Sequence, residues 1–253
     1  MEQQQEQKKK KDLFLPISIV VAALVIGGAV IYSNGLKSTG KSGATPTPSG
    51  EVVKMDLVSE DKVLGQSNAG LTMFEFSDYE CPYCAKFHKL TRPEIITNYV
   101  DTGKMKIVFR AMPFHSNSLM DTQAIWCAGK QDKYWEMHDL VFNKKDSGET
   151  LTATSLATYA GSLGLNKTAF SECLTANKDE ARINEIATLA QNAGILATPI
   201  TLIAKDLPIE LDAQYIIAQL QSSVSVININ NGVIIIGAQP YSVYQTEIDK
   251  LLK

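Results

Sequence analysis

Apolar and polar positions divide the chain into three regimes. In the first, Leu13 to Tyr32 run without a charged side chain. About 20 such residues, rising 1.5 Å each, cross a hydrocarbon core of roughly 30 Å, which predicts a transmembrane signal-anchor helix over 13–32. Residues 1–12 are polar and end in Lys8-Lys9-Lys10-Lys11. This basic tail stays on the cytoplasmic side by the positive-inside rule. Two other readings stand beside the anchor. One is a cleaved secretory signal, although Ile31 and Tyr32 follow Ala29 where such signals end in spaced small residues; the other is a buried soluble helix. With an anchor or a cleaved signal alike, the remainder of the chain is exported.

The second regime, 33–50, is rich in Ser, Thr, Gly and Pro and includes Thr45-Pro46-Thr47-Pro48. Such a segment cannot bury enough apolar surface to order itself and reads as a flexible linker. The third regime, 51–253, alternates short apolar runs with helical spacing. Leu71 to Phe76 is a β-favouring run, the segment after Cys81 has helical period until Asp101-Thr102-Gly103, and Met105 to Arg110 is a second strand. Together they predict a βαβ unit. From about 116 to 193 the pattern is almost wholly helical, punctuated at Gly129, Gly148, Gly161 and Gly164. Ile200 to Ala204 is a further strand. Val224 to Ile229 and Val233 to Ile236 flank Asn230-Asn231-Gly232, a hairpin signal, and Tyr241 to Leu252 is an amphipathic helix. The fold class is α/β, with a helical subdomain inserted into a small sheet.

At 253 residues and 45% hydrophobic content, the chain can build a core without disulfides. Residues 1–50 hold six Lys/Arg against three Asp/Glu, leaving 18 against 24 in the rest. An acidic body without a basic stripe excludes nucleic acid as the partner, because phosphate contacts need clustered Lys and Arg.

The chemistry concentrates in cysteine. The chain has four, two of them in Cys81-Pro82-Tyr83-Cys84 at the predicted turn from strand into helix. Disulfide exchange needs a thiolate, and a helix N-terminus lowers a thiol's pKa through its unpaired N–H groups and dipole. Pro82 suits the first helical position. Cys81 is therefore expected to attack and Cys84, one turn on, to resolve. A Cys-X-X-Cys pair also suits zinc, which needs further ligands. Cys127 and Cys173 lack a ligand at two-residue spacing, and His88 alone completes only three ligands; no metal and no cofactor is expected. Glu75, on the strand six residues before Cys81, points inward with Met73 by period-2 alternation. Buried, it would have a raised pKa and could exchange the proton that the thiols release; a surface glutamate is the alternative. Asp78 reads as a turn residue, His88 as a helix-surface residue or one that tunes Cys84, and His115 and His138 as packing or hydrogen-bonding residues of the insert.

The segment Phe76 to His88 resembles the active-site segment of DsbA-like thioredoxin-fold proteins, a group with membrane-anchored extracytoplasmic members. Arg110-Ala111-Met112-Pro113-Phe114-His115, Trp126-Cys127-Ala128, Tyr134 to Leu140 and Gly237-Ala238-Gln239-Pro240-Tyr241 follow in family order. The resemblance covers most of 52–253 and implies a thioredoxin-like fold. It implies that Pro199 is cis, faces the cysteines and, with Thr198, Pro82 and Tyr83, binds the substrate chain. It further implies a structural disulfide between Cys127 and Cys173, two free buried thiols being the alternative; closing a loop of about 45 residues adds roughly 3 to 4 kcal/mol. The implied activity is dithiol oxidation of exported proteins with free thiols, with a membrane quinone-linked reoxidase as partner and a monomer as the working unit. A reductase or isomerase on the same scaffold, and a tethered chaperone or metal-binding module, are the rivals. The sequence departs from the family at Lys205 to Ser223, where Asp212 to Gln221 reads as helix. This leaves open whether Ile200–Ala204 or Val224–Ile229 pairs with Val233–Ile236.

Overall fold

The computed structural model describes residues 52–253. The expected anchor over 13–32, the tail and the linker lie outside the described residues. Among the described residues no helix is long and apolar enough to cross a membrane.

Eight strands and nine helices follow in chain order among those residues: β1 Val52–Met55, β2 Val63–Leu64, β3 Leu71–Ser77, α1 Pro82–Leu90, α2 Arg92–Ile95, β4 Met105–Ala111, α3 Ser118–Gly129, α4 Tyr134–Asp146, α5 Ala153–Ser162, α6 Lys167–Ala176, α7 Glu180–Asn192, β5 Ile200–Ala204, β6 Ile209–Asp212, α8 Ala213–Gln221, β7 Val226–Ile229, β8 Gly232–Ile236 and α9 Tyr241–Leu251. A π-helical turn over Ile96–Val100 extends α2. The main sheet has the order β2-β4-β3-β5-β8-β7. Only the β3–β4 pair is parallel, as the β3-α1-β4 crossover requires; every other pair is antiparallel.

All seven residues of β3 are buried, because the strand is central and both faces of the sheet are covered. On one face Leu71, Met73, Ile107 and Ile235 pack with Phe87 of α1, Ile95 of α2 and Tyr244 and Ile248 of α9. On the other, Phe74, Phe76, Val108 and Leu202 pack with Ala187 and Ala190 of α7. The helices α3 to α6, between β4 and β5 in the chain, enclose a separate core that includes Ile125, Met137, Phe142, Leu156 and Phe170. Cys127 on α3 and Cys173 on α6 are joined as a disulfide across it.

The hairpin resolves differently from either alternative. Strand β8 lies between β5 and β7, so both pair with it, Thr201 opposite Ile235 and Ile227 opposite Ile234. Asn231 takes a positive φ of 60° at the turn. A Cβ on Gly232 would meet the Ile203 carbonyl oxygen at 2.5 Å, so only glycine lets β8 approach β5 there. The departure at 205–223 has a structural purpose. Strand β6, with alternating buried and exposed residues, pairs antiparallel with β1. Met55, Ile209, Leu211 and Ile216 of α8 then close the second sheet face. The α8 helix starts where expected, its N-cap Asp212 accepting from Tyr215 N at 3.0 Å.

Removing the insert's disulfide by Cys127→Ala and Cys173→Ala together should lower stability by about 4 kcal/mol, the chain-entropy value for a loop of this length. Urea unfolding of the oxidised double variant against the oxidised parent checks it; equal midpoints would mean that the bridge adds nothing beyond the packing around it.

Candidate functional site

Strand β3 ends at Ser77, and Asp78-Tyr79-Glu80 turns the chain into α1. Cys81 is the N-cap of that helix, in extended conformation at φ −79°, ψ 121°, and Pro82 occupies the first helical position. The Cys81 amide donates to Asp78 O at 3.1 Å and its carbonyl accepts from Ala85 N at 3.1 Å, which fixes the sulfur at the open end of the helix. Across from it the Thr198–Pro199 bond is cis, as the resemblance implies. The Cys81 thiol donates to Thr198 O at 3.6 Å, so strand β5 and α1 meet at this sulfur. Tyr83 is largely exposed.

The two thiols are not equivalent. Cys81 shows 7% of its surface and Cys84 none. A hydrogen bond from the Cys84 thiol, with help from the cis-proline segment and the helix N-terminus, holds Cys81 down at about 5. Burial pushes Cys84 far above the ordinary thiol range. Near neutral pH the reduced pair therefore carries one thiolate, on Cys81.

Asp78 organises the turn. Its buried carboxylate accepts from Glu80 N (2.9 Å), Phe114 N (2.9 Å), His115 N (3.1 Å), His115 Nδ1 (2.8 Å) and the Ser118 hydroxyl. Its own amide donates to Cys84 Sγ at 3.4 Å. The residue is thus the turn residue expected, and it also ties the loop after β4 to the cysteines. The hydrogen bond to Asp78 raises the His115 pKa above the usual imidazole value.

Glu75 is fully buried, as its alternation predicts, and burial raises its pKa against the pull of Arg92. Arg92 Nε donates to Glu75 Oε2 at 3.2 Å, and Nη1 reaches Asp139 Oδ1 at 3.4 Å. Glu75 Oε1 has no hydrogen-bond partner among the described residues. The expectation that His88 is a surface residue is corrected. It is buried, stacks on Phe142 at 4.6 Å between ring centroids, and its Nε2 lies 3.0 Å from Asp139 Oδ1. The packing of α1 against the insert turns that face inward. His138 is fully buried, with Nδ1 2.8 Å from the Tyr79 hydroxyl, and burial holds it far below the usual imidazole range. Sequence reasoning missed Arg92, Asp139 and Tyr79. Arg92 had one available signal, a lone cation inside the apolar spacing that follows α1.

A family model described as Thioredoxin matches residues 58–218, more than half of the chain. The chain belongs to this thioredoxin family. Among curated proteins, the Na(+)/H(+) antiporter NhaA 3 of Salinispora tropica is 31% identical over 142 residues, 55% of this chain and 21% of that protein. Disulfide bond formation protein D of Bacillus subtilis is 29% identical over 162 residues, 60% of this chain and 71% of that protein. The chain thus spans about a fifth of the antiporter it matches and most of the second relative. Among solved structures, alpha-DsbA1 of Wolbachia pipientis superposes with a TM-score of 0.64 at 28% identity, covering 78% of this chain and 92% of that one. The thioredoxin fold here is of the DsbA-like kind, with the helical insertion between its β-α-β and ββα parts.

The thiol asymmetry has a pH signature. Cys81's pKa is depressed on folding, so its thiolate stabilises the reduced protein fully above the unfolded thiol's pKa, and that stabilisation is lost as pH falls through about 5. The stability gap between reduced and oxidised protein should therefore widen in favour of the reduced form from about pH 5 upwards. Denaturant unfolding of both forms at several pH values measures it; a gap independent of pH between 5 and 8 would contradict the low thiol pKa.

Proposed function

We propose that this chain is an extracytoplasmic thiol-disulfide oxidoreductase that introduces disulfides into exported proteins through Cys81-Pro82-Tyr83-Cys84. The observation that carries the reading is the unequal pair, a surface-reaching thiol held near pKa 5 beside a sealed one. Stabilising the thiolate stabilises the reduced state, which makes the disulfide form a strong electron acceptor. The name of the Bacillus subtilis relative agrees with this direction.

In the cycle we propose, a substrate thiolate attacks Cys81 of the Cys81–Cys84 disulfide and Cys84 leaves, taking up a proton. A second substrate thiolate then attacks the substrate sulfur of the mixed disulfide, and Cys81 leaves as the stabilised thiolate. The substrate is oxidised by two electrons and the pair reduced by two. Glu75, buried on the strand that leads to the motif, relays the proton that Cys84 gains and loses. The cis Thr198–Pro199 segment, with its carbonyl at Cys81, pairs with the backbone of an extended substrate. Exposed Tyr83, Phe114 and Leu196, on three segments that converge at the cysteines, give an unfolded client an apolar surface. The segment over 13–32 anchors a monomer to the membrane, where a quinone-linked reoxidase restores the disulfide.

Equilibration of the Cys81/Cys84 pair against glutathione should give a reduction potential above about −200 mV. A value near −270 mV, as in thioredoxin, would reverse the direction to a reductase. Cys84→Ser should accumulate mixed disulfides through Cys81, which a tethered binding module would not do. Glu75→Gln should slow dithiol exchange by about tenfold or more and flatten its pH profile; an unaltered profile removes Glu75 from the proton path.

A further inference from the structure

Sequence spacing gives no set of metal ligands, yet the packing of α1 against α4 assembles one. His88 on α1 and His138 and Asp139 on α4 offer three ligand atoms that all lie within 4.8 Å of one another. We propose that these three side chains form a binding site for a borderline divalent transition metal of the zinc class, separate from the cysteine pair.

The strongest mark of the site is an imidazole nitrogen with nothing to bind. His138 has no exposed surface, and among the described residues its Nε2 has no hydrogen-bond partner, although buried polar atoms are nearly always satisfied. Its other nitrogen is engaged by the Tyr79 hydroxyl at 2.8 Å. With Nδ1 protonated and donating to the tyrosine oxygen, Nε2 presents its lone pair. An imidazole fixed through one nitrogen and open at the other is the arrangement in which outer-shell partners orient metal-binding histidines.

The second and third donors are already paired. His88 Nε2 and Asp139 Oδ1 are 3.0 Å apart, a separation suited to two adjacent ligands of one ion that replaces the proton between them. Zinc bonds of about 2.0–2.2 Å place tetrahedral ligands roughly 3.4 Å from one another, so a pair at the 4.8 Å limit must close by about 1.4 Å. Asp139, half-exposed, has the freedom to make that adjustment.

Access comes through an open crevice of about 410 Å³ whose lining includes His88, Arg92, Asp139 and Asn143. Two of the three ligands, His88 and Asp139, line it, and His138 lies beneath them with no exposed surface. Two imidazoles and one carboxylate select nitrogen-preferring transition metals over calcium or magnesium, which take oxygen ligands. Arg92 Nη1, 3.4 Å from Asp139 Oδ1, is the charge that opposes a dication. Glu75 holds the same guanidinium through Nε, and Arg92 can orient the Asp139 carboxylate from outside the coordination shell. The other cluster of ligand-type residues, Cys127, Cys173 and Asp179, carries no such reading because its two sulfurs are bonded to each other.

The test is calorimetric titration of the full chain, in mild detergent and a non-chelating buffer, with zinc chloride. The protein is first oxidised at Cys81–Cys84 so that neither thiol competes. The expected result is one ion per chain, with affinity reduced roughly tenfold or more in each of His88→Gln, His138→Ala and Asp139→Asn. His115→Ala, which alters the chain's third histidine, should bind as the parent does. Because His138 is buried, its variant is scored only if circular dichroism shows it folded; Asp139→Asn and His88→Gln carry the test otherwise. The proposal falls if the parent takes up no stoichiometric zinc, if Asp139→Asn and His88→Gln bind as tightly as the parent, or if His115→Ala loses the ion.

Discussion

The site depends on one buried carboxylate. Asp78 lies in the turn between the central strand and the helix that Cys81 caps, and it gathers donors from its own turn and from the loop that leads into the insert. A buried anion in a low-dielectric interior is tolerated only when its lone pairs are filled, and here they are filled by backbone amides, an imidazole and a hydroxyl. Those bonds fix where Phe114 and His115 stand relative to the cysteines. Because the amide of the same residue contacts Cys84, the geometry of the sulfurs and the attachment of the insert are set together.

Two further polar arrangements fasten the parts around this turn. Arg110, almost wholly buried on β4, forms a two-pronged pair with Asp61 at 3.2 and 2.7 Å, donates to Asp56 O at 2.6 Å, and lies over the Phe74 ring. It holds the segment between β1 and β2 against the sheet. Arg92 links Glu75 in the sheet to Asp139 in the insert. Each places a guanidinium where a planar fork can serve several acceptors at once, a task that the single ammonium of lysine does poorly. On the other side of the active-site turn, Lys145 of α4 bridges Glu80 and buried Asp121, whose pKa burial raises to about 7. The cysteine motif is thus ringed by charged groups whose partners come from the insert, while the apolar layers beneath come from the sheet.

Local features of the sequence were enough to read the β-α-β unit, the helical insert, the final hairpin's turn and the place of the cysteine pair where strand turns into helix. Each depends on residues near one another in the chain: an apolar run, a Cys-X-X-Cys spacing, Asn-Gly between strands. What was not legible was long-range. Strands β1 and β6 are four residues each, and Val52 pairs with Asp212, so nothing local marks either as a strand with a partner. His88 faced inward for the same reason, since the helical period gives an apolar face but not which charged residue a neighbouring helix will bring to it. Glu75's burial was visible from alternation, whereas its arginine was not. The cis peptide at Pro199 and the Cys127–Cys173 bond came from resemblance to a family, not from any rule acting on these residues, and both are present.

The difference in exposure between the two sulfurs has a consequence for the order of events. A visitor from solution can reach Cys81 and has no path to Cys84. In the cycle proposed above, entry is therefore external and the alternative exit internal: a bond made to a partner at Cys81 would be undone either by that partner's own second thiol or by Cys84 rising to take its place. The first route carries a disulfide away and the second returns the partner unchanged. In the proposed cycle, the tightness with which Cys84 is packed beneath the helix would thus work as a clock, setting how long the partner has to complete its own pairing before it is dismissed.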